Sequence, residues 1–187
     1  MHEAPASIGP YTWDDFVALR EDDLRELIDG ELVEVEVPRW NHEHVVGRIL
    51  GALLVWVDAG HGGRAVASGY KLRVSERRGV MPDVQFYRAG NDAPLAQQEG
   101  LTQGRPDLVV EVVSPSSRRY DRVTKLGWYA QLGVPEYWLV DAGARTLERL
   151  VLRDGTYAIA DALGGDDVLR PSSFEGLEIA LARLWAA

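Results

Sequence analysis

The chain has no cysteine in its 187 residues, which excludes disulfide staples, thiolate nucleophiles and cysteine-ligated zinc. No apolar run approaches the ~18 residues that a membrane-spanning helix needs. Positive charge is scarce: 20 Lys and Arg against 29 Asp and Glu leave a net charge of -9, which argues against coating nucleic acid by bulk charge. Cation-binding chemistry stays open, because such sites are themselves built from carboxylates. The opening Met1-His2-Glu3-Ala4-Pro5 has neither a basic nor an apolar stretch, so no secretory signal is expected. Together with the missing cysteines, this predicts a cytoplasmic protein.

What is present is the composition of a folded chain. Hydrophobic residues at 46% and charged residues at 26% are too apolar for disorder. The length fits one domain, residues 1–187, able to bury about two thirds of its unfolded surface. No repeat, low-complexity tract or internal linker interrupts it.

Local patterns divide the chain into elements. Thr12 before Trp13-Asp14-Asp15-Phe16 predicts a capped short helix ending near Arg20. Leu24 to Ile28 and Glu31 to Val37, joined by Asp29-Gly30, predict a hairpin, with Val33, Val35 and Val37 on one face and Pro38 closing it. Asn41 is expected to cap a helix over 42–58, in which Val45, Val46, Ile49, Leu50, Leu53, Leu54 and Val57 recur at helical spacing before Gly60. Strands are predicted over 65–74 and 80–88 around a polar turn at 75–79, with an irregular loop over 89–105. The apolar run at 107–114 reads as a strand buried on both faces. A helix over 119–132 ends at Gly133, strands follow at 136–141 and 146–152, and Asp154-Gly155 turns into Tyr157–Ile159. The last apolar segment, 177–185, is expected to pack as a short strand or helix.

The sharpest chemistry lies in two strands. Alternation puts Asp83 and Gln85 on one face, and Asp107, Val109, Glu111 and Val113 on one face of the other strand. A carboxylate amid such apolar residues costs several kcal/mol of desolvation, roughly the penalty of an unpaired buried ion, unless a cation offsets it. Two such carboxylates on facing strands form an oxygen-rich cradle for Mg²⁺. A buried ion pair of Glu111 with an Arg or Lys answers the same problem, and residue types alone do not choose between the two. His42 and His44, two apart, make a poor chelate and read as surface residues at a helix start. Asp121, Lys125 and Tyr129 recur at i, i+4, i+8, which suits a solvated face as well as a site. Ser114 and Ser116 lack a nucleophile elbow, so serine hydrolysis is not indicated.

Longer motifs add a resemblance. Glu26-Leu-Ile-Asp29-Gly30-Glu31, Met81-Pro82-Asp83-Val84, Arg105-Pro106-Asp107-Leu-Val-Val-Glu111-Val-Val-Ser114-Pro115-Ser116-Ser117, Lys125 with Tyr129, and Gly133-Val134-Pro135-Glu136-Tyr137-Trp138 occur in that order. This pattern resembles the Uma-two family of restriction-endonuclease-like proteins, a branch of the PD-(D/E)XK nuclease superfamily, from about residue 12 to the C-terminus. The resemblance implies an α/β (α+β) fold: a restriction-endonuclease-like core with a mixed β-sheet flanked by helices, preceded here by the N-terminal helix and hairpin. It also implies a Mg²⁺- or Mn²⁺-dependent endonuclease acting on nucleic acid, DNA by preference. Asp83 matches the first metal-binding acid, Glu111 the acid of the (D/E)XK element, and the Val112 carbonyl a further ligand. Val113 stands where the motif lysine belongs, and Lys125 on the following helix is its expected replacement. Glu43, Asp107 and Gln85 are accessory candidates. Arg118 and Arg119 are candidates for phosphate contact, as is the pair Arg77-Arg78. The alternative is a catalytically silent nuclease-fold protein that binds nucleic acid or a protein partner; a small-molecule enzyme or regulatory dimer with structural acids is the third reading. Tyr137-Trp138, within a set of six Trp, and the need of duplex cleavage for two sites predict a homodimer.

Overall fold

The computed structural model describes residues 9–186 apart from 21, 68, 92–100, 103, 115, 116 and 118. Helix α1 (Trp13–Val17) opens on a capping box in which Thr12 and Asp15 satisfy each other's backbone N–H groups. The hairpin β1 (Arg25–Ile28) and β2 (Glu31–Glu34) turns through Asp29 and Gly30, both with positive φ, as a type I′ turn requires. Its second arm stops at Glu34, short of the expected Val37, and leaves Val33 and Val37 exposed. Helix α2 (Trp40–Trp56) begins earlier than expected. Arg39, not Asn41, is its N-cap, and no side chain caps it. Its end loosens into a π-type turn, Val57–His61, where Gly60 takes φ 103°.

The predicted strands over 65–74 and 80–88 each divide between two sheets. The first becomes β3 (Arg64–Ala67) and β4 (Lys71–Ser75), parted at Gly69 with φ 84°. The second becomes β5 (Arg78–Val80) and β6 (Val84–Tyr87), parted at Pro82, whose ring nitrogen has no proton for a ladder. Beyond β7 (Leu101–Thr102) comes β8 (Leu108–Val113), buried throughout. The helix expected over 119–132 is a π-helical segment, Tyr120–Lys125, running into α3 (Leu126–Leu132), which Gly133 ends in the left-handed region. Strand β9 (Glu136–Asp141), β10 (Thr146–Arg153) and β11 (Thr156–Gly164) follow, then β12 (Val168–Leu169), β13 (Ile179–Ala180) and α4 (Ala182–Trp185).

Among the described residues, one sheet runs β11-β10-β9-β8-β6-β3 and a second runs β2-β1-β5-β4-β7. The first is mixed, because β8 pairs parallel with β9 and antiparallel with β6. Alternation along β8 sends Val110 and Val112 to the core under α2, and Val109 and Val113 to the core under α3, where Leu72 and Val80 of the second sheet also pack. Glu111 shares the second face. The protein is therefore a mixed sheet flanked by helices, with a second sheet closing over one side. Tyr137 and Trp138, expected at an interface between copies, are both fully buried within the chain. No helix among the described residues is long and apolar enough to cross a membrane.

Candidate functional site

The face of β8 that carries Glu111 meets β1, the 81–83 connection and the π-helical segment. Each contributes a charge. Glu111 is only 4% exposed, and its Oε1 accepts from the Tyr129 hydroxyl at 2.6 Å and from Lys125 Nζ at 3.0 Å. Lys125 Nζ also lies 3.2 Å from Glu26 Oε1 and 3.7 Å from Asp121 Oδ1. Asp121, Lys125 and Tyr129, whose spacing suited a solvated face as well as a site, are thus interior. The π-type winding of Tyr120–Lys125 widens the turn that carries Asp121 and Lys125, and both are buried; such windings recur at functional sites. Asp83 stands beside them: its Oδ2 accepts from the Val112 N–H at 2.7 Å, one residue beyond Glu111.

His42 completes the group, contrary to the surface position expected from sequence. Its Nε2 is 3.2 Å from Asp83 Oδ2 and its Nδ1 is 3.3 Å from Glu43 Oε1. Burial works against its charge, but the hydrogen bond and charge of Asp83 outweigh it and raise its pKa. Carboxylates facing both ring nitrogens suit an imidazolium, which donates from both.

Three carboxylates, those of Glu26, Glu111 and Asp121, thus surround one ammonium, and the charge of Asp83 is felt at Glu111. Burial drives the Glu111 carboxyl well above its ordinary range; Lys125 pulls it back, and the charges of Asp83, Asp121 and Glu26 push it up again. Burial likewise raises Asp121, against the pull of Lys125. On Lys125 burial disfavours the charge, yet Glu111, Glu26 and Asp121 prevail and hold it protonated. The two partners pull in opposite senses. An ammonium and a hydroxyl both donating to Glu111 Oε1 mark the ionised pair as the neutral-pH arrangement, with the carboxylate the strained member. Among the described residues Glu26 Oε2 and the Tyr120 hydroxyl, buried close to one another, make no well-formed hydrogen bond. A buried acceptor left unmade costs about 1–3 kcal/mol, more when charged.

The other sequence candidates fall in different places. Gln85 is buried, but its amide donates to the Tyr70 carbonyl and accepts from the Tyr87 hydroxyl. Asp107 Oδ2 accepts from the Arg88 N–H and the Asn91 amide, tying down the turn after β6. Neither is hydrogen-bonded to Asp83 or Glu111 among the described residues. Glu43 reaches the group through His42. Arg119 is exposed ahead of the π-helical segment, and Arg118 lies outside the described residues. Arg77 donates to the carbonyls of Gly9, Pro10 and Tyr11, while Arg78 binds Asp29 and covers the Trp128 ring, so both serve the fold. Glu26 and His42 were missed as site residues. A glutamate one residue from the core Leu27 was a faint signal for the first; nothing local signalled the second. No three His, Asp or Glu side chains among the described residues converge as a preformed metal cage.

Residues 13–182 match the model of the Uma2 family, described as putative restriction endonuclease. The chain is also similar to a solved structure, the 1.96 Å crystal structure of a putative nuclease belonging to DUF820 from Anabaena variabilis ATCC 29413. The likeness has a TM-score of 0.76 at 17% identity and covers 94% of this chain and 98% of that one, so it concerns the fold. The comparison with curated proteins found no match. The matched span holds the hairpin that carries Glu26, both flanking helices and all of the acidic cluster, and on that match the chain belongs to the Uma2 family of restriction-endonuclease-like proteins.

Proposed function

We propose that the protein hydrolyses phosphodiester bonds of nucleic acid, DNA by preference, using Mg²⁺ or Mn²⁺. The observation that carries this reading is the buried Lys125–Glu111 contact of 3.0 Å beside Asp83. It supports the transfer of the nuclease lysine from position 113 to the helix. The fit to a divalent cation rests on the surplus of carboxylates over cationic groups among the described residues and on Glu26 Oε2, which has only the Tyr120 hydroxyl near it and no well-formed hydrogen bond. Oxygen-only donors of this kind suit a hard ion.

Asp83, oriented by the Val112 N–H and by His42, and Glu111, oriented by Tyr129, are the residues that would hold the ion, with the Val112 carbonyl as a further donor. When bound, such an ion polarises the scissile phosphate and lowers the pKa of a water. In the hydrolysis the oxygen of water bonds to phosphorus, the bond from phosphorus to one sugar oxygen breaks, and that oxygen takes up a proton. Lys125 contributes a fixed positive charge where negative charge develops on the phosphoryl oxygens. Its carboxylate neighbours keep that charge in place. Glu26 and Asp121 position Lys125, and Glu43 positions His42. The exposed Arg119 offers a phosphate contact at the rim.

Incubation of labelled single-stranded DNA, duplex DNA and RNA with Mg²⁺, with Mn²⁺ and with chelator tests the reading. Cleavage that needs the ion and is lost in Asp83→Asn and Lys125→Ala is the expected result. Intact substrate in every condition, with wild-type protein folded, would overturn this reading in favour of a catalytically silent member of the fold.

A further inference from the structure

Six tryptophans are present, and they are not treated alike. Trp13, Trp56, Trp128 and Trp138 are core residues, and Trp185 is half-buried with its indole N–H on the Gly165 carbonyl. Trp40 is 74% exposed. Isolated exposed apolar residues are common and need no explanation. The setting of this one is different. Trp40 opens α2 two residues before His42, whose Nε2 contacts Asp83. The stretch leading to it is tied to the same end of β8, because the Ser114 hydroxyl donates to Glu36 Oε2 at 3.2 Å. Next to it is Arg39, with its side chain 87% exposed. A broad aromatic surface, 6.3 Å from the His44 ring, and an exposed guanidinium whose one ion pair among the described residues is with Glu36 at 3.5 Å thus stand together at the end of α2 where His42 meets Asp83.

We infer that Trp40 is a stacking platform for an unpaired base of the substrate, with Arg39 on the adjoining phosphate, so that the chain engages single-stranded or locally unpaired nucleic acid in preference to an intact duplex. This rests on the nuclease reading proposed above. An indole face offers nothing to a base that is already stacked and paired inside a duplex. It offers a large, sequence-tolerant contact to one that is not. The charge balance points the same way. A chain with a net charge of -9 is poorly equipped to follow a duplex by phosphate contacts alone, and stacking supplies affinity that does not depend on bulk positive charge.

Binding of fluorescein-labelled single-stranded and duplex oligonucleotides of equal length, in DNA and RNA versions and with chelator present, tests this by anisotropy. Wild type should hold the single strand more tightly than the duplex. Trp40→Ala should weaken single-strand binding roughly 5- to 150-fold, the scale of losing one base stack, with little effect on the duplex. Trp40→Phe should restore most of the loss and Trp40→Leu should not. Asp83→Asn should keep the Trp40-dependent binding even where cleavage is gone, so a failure of the nuclease reading leaves this result standing. Equal affinity for duplex and single strand, an unchanged affinity in Trp40→Ala, or rescue by Trp40→Leu would each overturn the inference, including where cleavage itself is observed. The DNA and RNA arms separate the two sources of an unpaired base.

Discussion

Two buried ionic clusters lie at opposite ends of the parallel pair β8 and β9, and they are built on opposite principles. At the start of β9, Glu136 receives Arg149 Nη1 at 3.0 Å, the Ser173 hydroxyl and, on its other oxygen, the Trp138 indole N–H at 3.0 Å. Arg149 also donates through Nε to Asp161 at 2.5 Å. Every Glu136 oxygen is satisfied. At the far end of β8, Lys125 faces Glu111, Glu26 and Asp121, with Asp83 nearby, and Glu26 Oε2 makes no well-formed hydrogen bond among the described residues. The first cluster is closed and serves the fold. The second carries an excess of negative charge that folding alone does not explain, because burying unpaired carboxylates is costly. On the reading proposed above, a bound divalent cation offsets that surplus.

Activity should separate the two clusters most strongly. Asp83→Asn, Glu111→Gln or Lys125→Ala should each lower cleavage by ~10²-fold or more, the scale of losing one charge-stabilising group. Lys125→Arg should not rescue fully, since a planar guanidinium does not replace a compact ammonium. Arg149→Met, measured per folded molecule, should cleave as wild type does. Equal losses in both clusters would erase the distinction.

Stability should invert the pattern. Arg149→Met strands Glu136 and Asp161 and should cost about 3–5 kcal/mol in urea unfolding. Lys125→Ala should cost less, because Glu111 and Asp121 are already displaced toward their neutral forms and take up protons readily. A divalent ion sharpens the contrast: Mn²⁺ at a hundredfold excess over its Kd should stabilise wild type by about 2.7 kcal/mol, and Asp83→Asn should lose that gain. Arg149→Met should gain as much as wild type does. Calorimetric melting with and without Mn²⁺ reads both.

The smallest effect concerns pH. Burial raises the Glu111 carboxyl in the fold, so the folded chain holds this proton at pH values where the unfolded chain, near the ordinary 4.5, has released it. Its contribution is therefore full below that value and lost as pH rises through the folded pKa. Glu111→Gln has no such group. Without metal it should be more stable than wild type near neutral pH, by about 0.5–2 kcal/mol, the usual gain on relieving a strained site. The difference should shrink as pH falls toward 4.5. A difference that grows on acidification would show that the Lys125 pair, rather than desolvation, dominates.

Much of this could be read in one dimension. Asp29-Gly30 dictates its hairpin because few pairs accept two positive φ angles, and the apolar period of α2 and the unbroken apolar run of β8 state their own burial. Alternation states which face of β8 carries Glu111, whereas Asp83 lies in the connection before β6 and meets β8 through the Val112 N–H; the placing of Lys125 came from family resemblance together with the helix that carries it. These are local properties, set within a few residues. Tertiary structure alone decided the rest. Gly69 and Pro82 divide two strands between two sheets, and that division brings Glu26, 85 residues before Glu111, onto Lys125. His42 meets Asp83 only because α2 crosses the sheet at that end, and Trp40 is left in solvent at the same crossing. A residue's own neighbours set its backbone; which charge it meets depends on how distant segments pack, and no periodicity along the chain records that.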